Sequence, residues 1–286
     1  MKILVFGKSG QVARELQSFP PVVALGREGA DLCDPEACAA AITQHEPSAV
    51  INTAAYTAVD QAEEEEALAM QINGEAPSAM ARACAALDIP FVHISTDYVF
   101  DGTGYAPWSP GDKPSPISAY GRSKLIGENG VVEAGGRYAI LRTSWVYSAN
   151  GQNFVKTMLR LGAERNQLSI VADQIGGPTP AKSIAAACLL IAEQLTADPS
   201  KAGIYHFAGA PDISWAGFAQ EIFSQAQLDC EVTDITSAEY PTPAKRPQNS
   251  RLDCSSIEEA FGILRPDWRL ELRTILKKIS YKETQE

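Results

Sequence analysis

The chain begins with "KILVFGKSGQVA", residues 2–13, and the architecture follows from how that run is parsed. A short apolar, β-rich stretch ends at Gly7, and the residues after it have helical spacing, with Val12 and Leu16 four apart. Gly7, Gly10 and Ala13 form GxxGxxA between the two, the place where a strand hands over to a helix. Such a turn suits a pyrophosphate bound by backbone N–H groups at a helix N-terminus. Gly7 would permit the tight turn, Gly10 the close approach of the phosphate, and Ala13 the close packing of helix on strand; an ordinary glycine-rich turn is the plain alternative.

Further apolar runs recur: "VVAL" at 22–25, "AVIN" at 49–52, "PFVHIS" at 90–95, "YAILR" at 138–142 and "LSIV" near 168–171. Helical stretches lie between them, one opened by Asp34 as N-cap with Pro35 at its first position, one starting near Tyr120, and one around "NFVKTMLRL", 153–161. This alternation predicts an α/β fold, a Rossmann-type doubly wound parallel sheet covered on both faces. Residues 1–150 are expected to form the dinucleotide-binding domain, with later segments returning to it. Residues 151–286 read mainly as a smaller C-terminal α/β substrate-binding domain, with Ser214 capping a helix whose stripe, Trp215, Phe218, Ala219, Ile222 and Phe223, reads as core. A last helix puts Leu272, Ile275, Leu276 and Ile279 on one face.

At the end of the second strand an acid would hold the ribose 2′-OH of NAD, but "GRE" places Arg27 there. That substitution favours a 2′-phosphate, hence NADPH, with NADH as the alternative cofactor.

Composition narrows the function. Apolar residues make up 45% and charged residues 21% of 286, an ordinary globular balance. The net charge of −11 disfavours nucleic acid and anionic membrane surfaces as partners. The longest apolar run, Ile184 to Ala192, falls short of the roughly 20 residues a membrane helix needs. Six scattered cysteines lack CxxC spacing and three histidines are unpaired, so reduced thiols, a cytoplasmic setting and no metal site are expected. An anionic small substrate would then need a local basic patch, and "YPTPAKRPQNSR", 240–251, supplies Lys245, Arg246 and Arg251. This loop is the candidate for binding a diphosphate, or else it is simply solvated.

The chemistry is carried by "ISTDYVFDG", 94–102, and "AYGRSK", 119–124. Tyr120 and Lys124 are four residues apart and share a helix face. Free tyrosine has a pKa of about 10, and a nearby ammonium would favour its phenolate and tune it for acid–base work. Thr96, at the carboxyl end of its strand, sits where ligands bind in open parallel sheets, and its hydroxyl can bond a substrate oxygen or cap a turn.

These residues resemble the extended short-chain dehydrogenase/reductase superfamily, and more narrowly the dTDP-4-dehydrorhamnose reductases. The resemblance runs over nearly the whole chain through "GKSGQV" (7–12), "AAYTAVDQAE" (54–63), "STDYVFDG" (95–102), "YGRSKLIGE" (120–128), "LRTSWVY" (141–147), "NFVKTMLRL" (153–161) and "YPTPAKRPQNSRL" (240–252). It implies NAD(P)H-dependent reduction of the 4-keto group of a dTDP-linked 6-deoxyhexose to dTDP-rhamnose. Tyr120 would be the general acid, Lys124 would lower its pKa and hold the nicotinamide ribose, and Thr96 would stand in for the serine of many relatives. Gly10, Gln11, Val12, Asp31, Leu32, Ala55, Tyr56 and Thr57 fall at dinucleotide-contacting positions. Asp97, Tyr98 and Trp145 fall on the sugar side, although Trp145 serves equally well as core.

Some relatives dimerise around Mg²⁺ through acids in the segment that here reads "PAKSIAAAC", 180–188. That segment has no acid, and Glu15 alone is a poor site for a cation that wants several oxygens, so a monomer or weak homodimer without structural metal is expected. Glu63 to Glu66 reads as a solvated helix start. Two other readings stand beside the reductase: a non-catalytic nucleotide-binding regulatory subunit, and an epimerase or dehydratase of the same superfamily, which would need further acid–base residues near the sugar.

Overall fold

The computed structural model describes residues 1–19 and 21–283. Along the chain run β1 (Ile3–Phe6), α1 (Gln11–Leu16), β2 (Val22–Leu25), α2 (Pro35–His45), β3 (Ala49–Asn52), α3 (Glu66–Met70), α4 (Ala76–Ala86), β4 (Phe91–Thr96), α5 (Ala119–Ala134) and β5 (Tyr138–Thr143). Then follow β6 (Val146–Tyr147), α6 (Phe154–Glu164), β7 (Gln167–Val171), β8 (Ile175–Gly176), β9 (Thr179–Pro180), α7 (Ala181–Ala197) and β10 (Gly203–His206). The remainder comprises β11 (Ile213–Ser214), α8 (Trp215–Ala226), β12 (Glu231–Ile235), β13 (Asn249–Ser250), α9 (Ser255–Phe261) and α10 (Trp268–Glu283).

Six strands form one parallel sheet in the order β10-β5-β4-β3-β1-β2. The chain leaves β1 toward β2 on one side and then returns to β3 on the other, so the strand order reverses at β1 and opens a crevice at the carboxyl ends. The strands read as unbroken apolar runs because both faces are covered: Ile3, Val5 and Ile51 pack under α1 and α7, while Leu4, Phe6 and Val50 pack under α2 and α4. Asp34 caps α2 by accepting from the Ala37 N–H, with Pro35 next to it, and Ser214 caps α8 by accepting from the Gly217 N–H. The sixth strand, β10, is a four-residue run that the periodicity did not single out.

Residues beyond 150 contribute to both layers. The buried side of α7 packs against α1, and β10 extends the sheet beside β5. A second core joins Val155, Met158, Phe218, Ile222, Trp268 and Leu272 of α6, α8 and α10, and the parallel pair β7 and β12 lies against it. The predicted face Leu272, Ile275, Leu276 and Ile279 is buried there.

Helix α5 lies unusually close to the helical segment before α4. A π-helical turn, Gln71–Glu75, precedes α4, and a Cβ at Gly127 would stand 2.1 Å from the Asn73 carbonyl oxygen. At the start of α5, a Cβ at Gly121 would stand 2.2 Å from the Tyr98 carbonyl oxygen. The backbones therefore touch where only glycine fits. Gly127→Ala must push α5 outward and is expected to cost about 1–3 kcal/mol. By thermal denaturation this is a fall in Tm of about 3 °C or more.

Candidate active site

The site assembles at the carboxyl ends of β1, β3, β4 and β5. At the glycine turn, Gly7 has φ +105°, a region that favours glycine, and a Cβ there would stand 2.6 Å from the Thr53 hydroxyl. Gly10 is the N-cap of α1 without a side-chain cap, and nothing lies within 4 Å of where its Cβ would point. Open space thus faces uncapped N–H groups, which is the cradle a pyrophosphate requires. A cleft of about 610 Å³ opens beside the turn between Lys8, Ser9, Arg14, Arg27 and Glu28. Arg27 is exposed on its rim, while Lys8 pairs with Glu28 at 3.0 Å. The residues present fit a dinucleotide phosphate.

The other predicted cofactor residues differ in what they present. Val12 is buried in the core and Leu32 is buried under the sheet, so each has only its backbone free for a ligand. The Gln11 side chain is engaged: its carbonyl oxygen accepts from Ser148 Oγ at 3.1 Å and Asn153 Nδ2 at 3.0 Å. Asp31 accepts from the Cys33 N–H, and this bond holds its carboxyl below the usual range, assisted by the Arg27 charge. Ala55 is half-buried and Thr57 exposed in the loop after β3.

That loop is fixed by a residue the sequence reading passed over. Asn73, in the π-helical turn, accepts from the Tyr56 N–H at 2.8 Å, donates to the Tyr56 carbonyl at 3.0 Å, and donates to Ser123 Oγ at 3.0 Å. A single buried amide thereby ties the loop to α5. A buried asparagine in an otherwise helical run, next to a glycine, was the available signal. The Tyr56 hydroxyl donates to Glu65 at 2.6 Å, which drives the phenol pKa up to about 12.

The acidic run lies at a helix start with Glu63 and Glu64 exposed, as expected, but its carboxylates are more than solvated. Glu63 accepts from the Ala119 N–H at the beginning of α5, Glu65 holds Tyr56, and Glu66 pairs with Arg122 at 2.7 Å. Two of the four carboxylates anchor α5, because its free N–H groups and a cation on its outer face are their nearest partners, and Glu65 anchors the loop after β3.

Helix α5 starts at Ala119 with Ser118 as N-cap, accepting from the Gly121 N–H at 3.1 Å. Tyr120 lies under Tyr98 in an edge-to-face contact at 5.5 Å. Thr96 accepts from the Tyr98 N–H and donates to Asp97, both at 3.2 Å. Burial pushes the Tyr120 phenol up to about 12; the Thr96 hydroxyl works against that shift and the Asp97 charge adds to it. The expected depression by Lys124 is not what this ligand-free geometry produces. Lys124, only 2% exposed, spends its amine on the Ile94 carbonyl at 2.7 Å and on His93 Nε2 at 3.2 Å. Burial lowers its pKa to about 8, with Glu128 opposing.

Buried polar atoms without partners mark the same spot: Ser95 Oγ, Asp97 Oδ2 and Thr143 Oγ1. Thr143 lies directly across from Thr96 in the β4–β5 register. Burial raises the Asp97 carboxyl to about 6, against hydrogen bonds from Ser250 and Thr96. Such orphans are rare in folded interiors, and here they sit beside the residues read as catalytic.

On the sugar side, Trp145 has φ +51°, a left-handed conformation uncommon for a bulky residue, and its ring stacks on Trp215 at 3.6 Å. Trp215 is therefore half-exposed beside the site and not wholly core, while Phe218, Ala219, Ile222 and Phe223 are buried as predicted. Arg246 comes within electrostatic reach of Tyr98 but is paired with Asp60 at 2.8 Å, and its Nε has no partner. Of its loop neighbours, Arg251 bonds Asn249 at 3.0 Å and Lys245 is exposed. Glu15 lies outside this cluster and accepts from Asn150 at 3.3 Å. No helix among the described residues is long and apolar enough to cross a membrane.

Comparison with known proteins agrees with this geometry over the full chain. The family model for the RmlD substrate binding domain matches residues 1–281. A dTDP-4-dehydrorhamnose reductase of Sinorhizobium fredii is 45% identical over 96% of this chain and 97% of that protein. Among solved structures, a dTDP-4-dehydrorhamnose reductase from Clostridium acetobutylicum superimposes with a TM-score of 0.92 at 37% identity, covering 98% of this chain and all of that one. Another from Bacillus anthracis, in complex with NADP, gives 0.89 at 34% identity, covering 97% and 99%. The glycine turn opens on uncapped N–H groups, Thr96 reaches Tyr120 with Lys124 a turn further along α5, and the likeness runs over nearly the whole length: the chain belongs to the RmlD substrate-binding-domain family, the dTDP-4-dehydrorhamnose reductases.

Proposed function

We propose that the chain reduces the 4-keto group of dTDP-4-dehydrorhamnose to give dTDP-rhamnose, with NADPH as cofactor. The observation that supports this reading is Thr96 at the carboxyl end of β4 within hydrogen-bond reach of Tyr120, with Lys124 one turn further along α5. When bound, the reduced nicotinamide supplies the hydride. The protein's own work is to orient the sugar, exclude water and deliver one proton.

Tyr120 is the proton donor. A phenol held at about 12 by burial remains protonated at every working pH, which is the form a general acid for reduction must have. The acceptor is an oxygen gaining alkoxide character, whose conjugate acid approaches the weakness of water, about 15.7, so transfer from the phenol runs downhill. Thr96 donates to the same carbonyl oxygen and so polarises it. Lys124 binds the ribose and orders the site. Asp97, Tyr98 and Trp145 form the sugar wall, with Trp145 held by its stacking on Trp215. Arg246 takes the diphosphate by releasing or sharing Asp60, and its unpartnered Nε supports that role.

Gly10 and the uncapped start of α1 hold the pyrophosphate, and Arg27, with Lys8 and Arg14 around the same cleft, takes the 2′-phosphate. The backbones at Gly7, Gln11, Val12, Asp31, Leu32, Ala55, Tyr56 and Thr57 complete the dinucleotide wall. The enzyme works in the cytoplasm, as a monomer or weak homodimer, on a nucleotide-diphosphate sugar.

Tyr120→Phe is expected to lower turnover at least a hundredfold while NADPH binding stays within about twofold of wild type. Purified protein mixed with NADPH and the keto sugar gives the measurement, read as loss of NADPH absorbance and as product. Near-normal turnover in the variant would remove Tyr120 from the role, and no oxidation by the wild type would favour the regulatory-subunit reading. Arg27→Ala is expected to weaken NADPH about tenfold or more and to leave NADH almost unchanged, since only one of the two carries the charge it would bond. Titration of both nucleotides checks this.

A further inference from the structure

The segment that follows β3 does more than line the dinucleotide. Asn73 holds it at Tyr56, Glu63 and Glu66 fasten it to α5, and between these anchors Asp60 reaches across to the basic loop 240–251. The Asp60 carboxylate grips that loop with both oxygens. Oδ1 accepts from the Ala244 N–H at 3.2 Å, and Oδ2 accepts from Arg246 Nη2 at 2.8 Å.

The loop is shaped for this grip. Ala244 is fully buried, and its carbonyl accepts from Thr242 Oγ1 at 2.8 Å. Pro241, Pro243 and Pro247 restrict φ on either side of it. Past the arginine, Pro247 lies so close to Gly102 that an added Cβ there would stand 2.3 Å from the Pro247 Cβ, and the Asn249 N–H donates to the Gly102 carbonyl at 2.9 Å. Arg246 is thus pinned before and after, with its Nε buried and without a partner among the described residues. The pair faces the sugar wall: the Tyr98 phenol, which burial and Asp97 raise above its ordinary value, also feels Arg246 opposing that rise and Asp60 adding to it.

An ion pair whose side chains are 35% and 41% exposed adds little to stability by itself, so its use lies in where it puts the guanidinium. We propose that Asp60 is a positioning residue that holds Ala244 and Arg246 in place for the substrate's diphosphate, on the same frame that fixes α5. This rests on the reading that Arg246 takes the diphosphate. A guanidinium has five donors and Asp60 takes one of them, so the pair persists with a phosphate bound.

Asp60→Asn keeps the shape, but an amide accepts only through its oxygen and cannot hold both donors as the carboxylate does. Binding of dTDP, which has the diphosphate and lacks the sugar, is expected to weaken about fivefold, the scale of an exposed pair, while NADPH affinity within about twofold of wild type shows an intact fold. With the keto sugar, KM is expected to rise by about the same factor and kcat to stay within about twofold, because the diphosphate is held equally in ground and transition states. Without any nucleotide, trypsin is expected to cut after Lys245 about fivefold faster in the variant, since two bonds no longer oppose local opening of the loop. An unchanged cleavage rate overturns the proposal.

Arg246→Ala separates this proposal from the reading beneath it. If Asp60 acts through the arginine, the double variant binds dTDP no more weakly than Arg246→Ala alone. Losses that add, or an Asp60→Asn protein that binds dTDP as well as wild type or better while Arg246→Ala is impaired, overturn the positioning role. Wild-type dTDP affinity in Arg246→Ala removes the diphosphate assignment, and the proposal falls with it.

Discussion

The packing around α5 depends on keeping three titratable groups of one helix out of water. Tyr120, Lys124 and Glu128 are at i, i+4 and i+8 of α5 and so form a single stripe directed inward. An unpartnered charge in that position would cost several kcal/mol, so each group is either neutral or matched. Glu128 is matched by Arg142, both of them 2% exposed. Arg142 is in turn closed off by the Pro110 carbonyl, His206 and the face of Phe100, whose ring lies 5.0 Å away. Lys124 is matched by the Ile94 carbonyl and His93, and Tyr120 keeps its proton.

The same stripe explains the packing. A helix with polar groups on its inner face cannot be held by apolar contact alone, and α5 is instead fastened at several points. Ser118 and Glu63 satisfy its first N–H groups, Glu66 takes Arg122, Asn73 takes Ser123, and glycines at 121 and 127 let backbone meet backbone. The π-helical turn is part of this fastening: one extra residue in the turn carries Asn73 round to reach both Tyr56 and Ser123, so the loop after β3 and α5 share a support. Trp145 shows a related use of strain. Its left-handed backbone is tolerated because stacking on Trp215 and the hydrogen bond from the Thr179 N–H to its carbonyl hold it.

The sheet was legible in the sequence because its strands are short, apolar and punctuated, and VVAL and AVIN occupy their predicted residues without shift. The strand β10 escaped because "GIYH" is only four residues and ends in a histidine that looks surface-bound until Arg142 and the Trp108 carbonyl are placed around it. The pair Tyr120 and Lys124 could be read from spacing alone, since i and i+4 guarantee a shared face. Their partners could not. His93 lies 31 positions before Lys124, Asn52 a further 41 before His93, and Arg142 14 after Glu128, and only strand register decides which of them meets the helix. The acidic run illustrates the converse error: on local grounds four consecutive glutamates are a solvated surface, whereas tertiary contacts commit three of them.

The direction of the Tyr120 shift differs from the depression by Lys124 that the sequence reading expected, since burial outweighs every other influence on the phenol. A neighbouring ammonium that lowers a phenol's pKa helps an enzyme that must remove a proton from an alcohol. A phenol that acts as an acid in reduction must arrive loaded, and a lower pKa makes it the stronger acid as long as it does. Burial and the Asp97 charge keep the Tyr120 proton in place, and the Thr96 hydroxyl works against them. The proton then leaves only when the sugar oxygen itself becomes the stronger base, so proton transfer waits on the reduction it serves. On the proposed role of Tyr120, the burial that keeps the phenol loaded also works against regenerating a phenolate, so abstraction from an alcohol is the disfavoured direction.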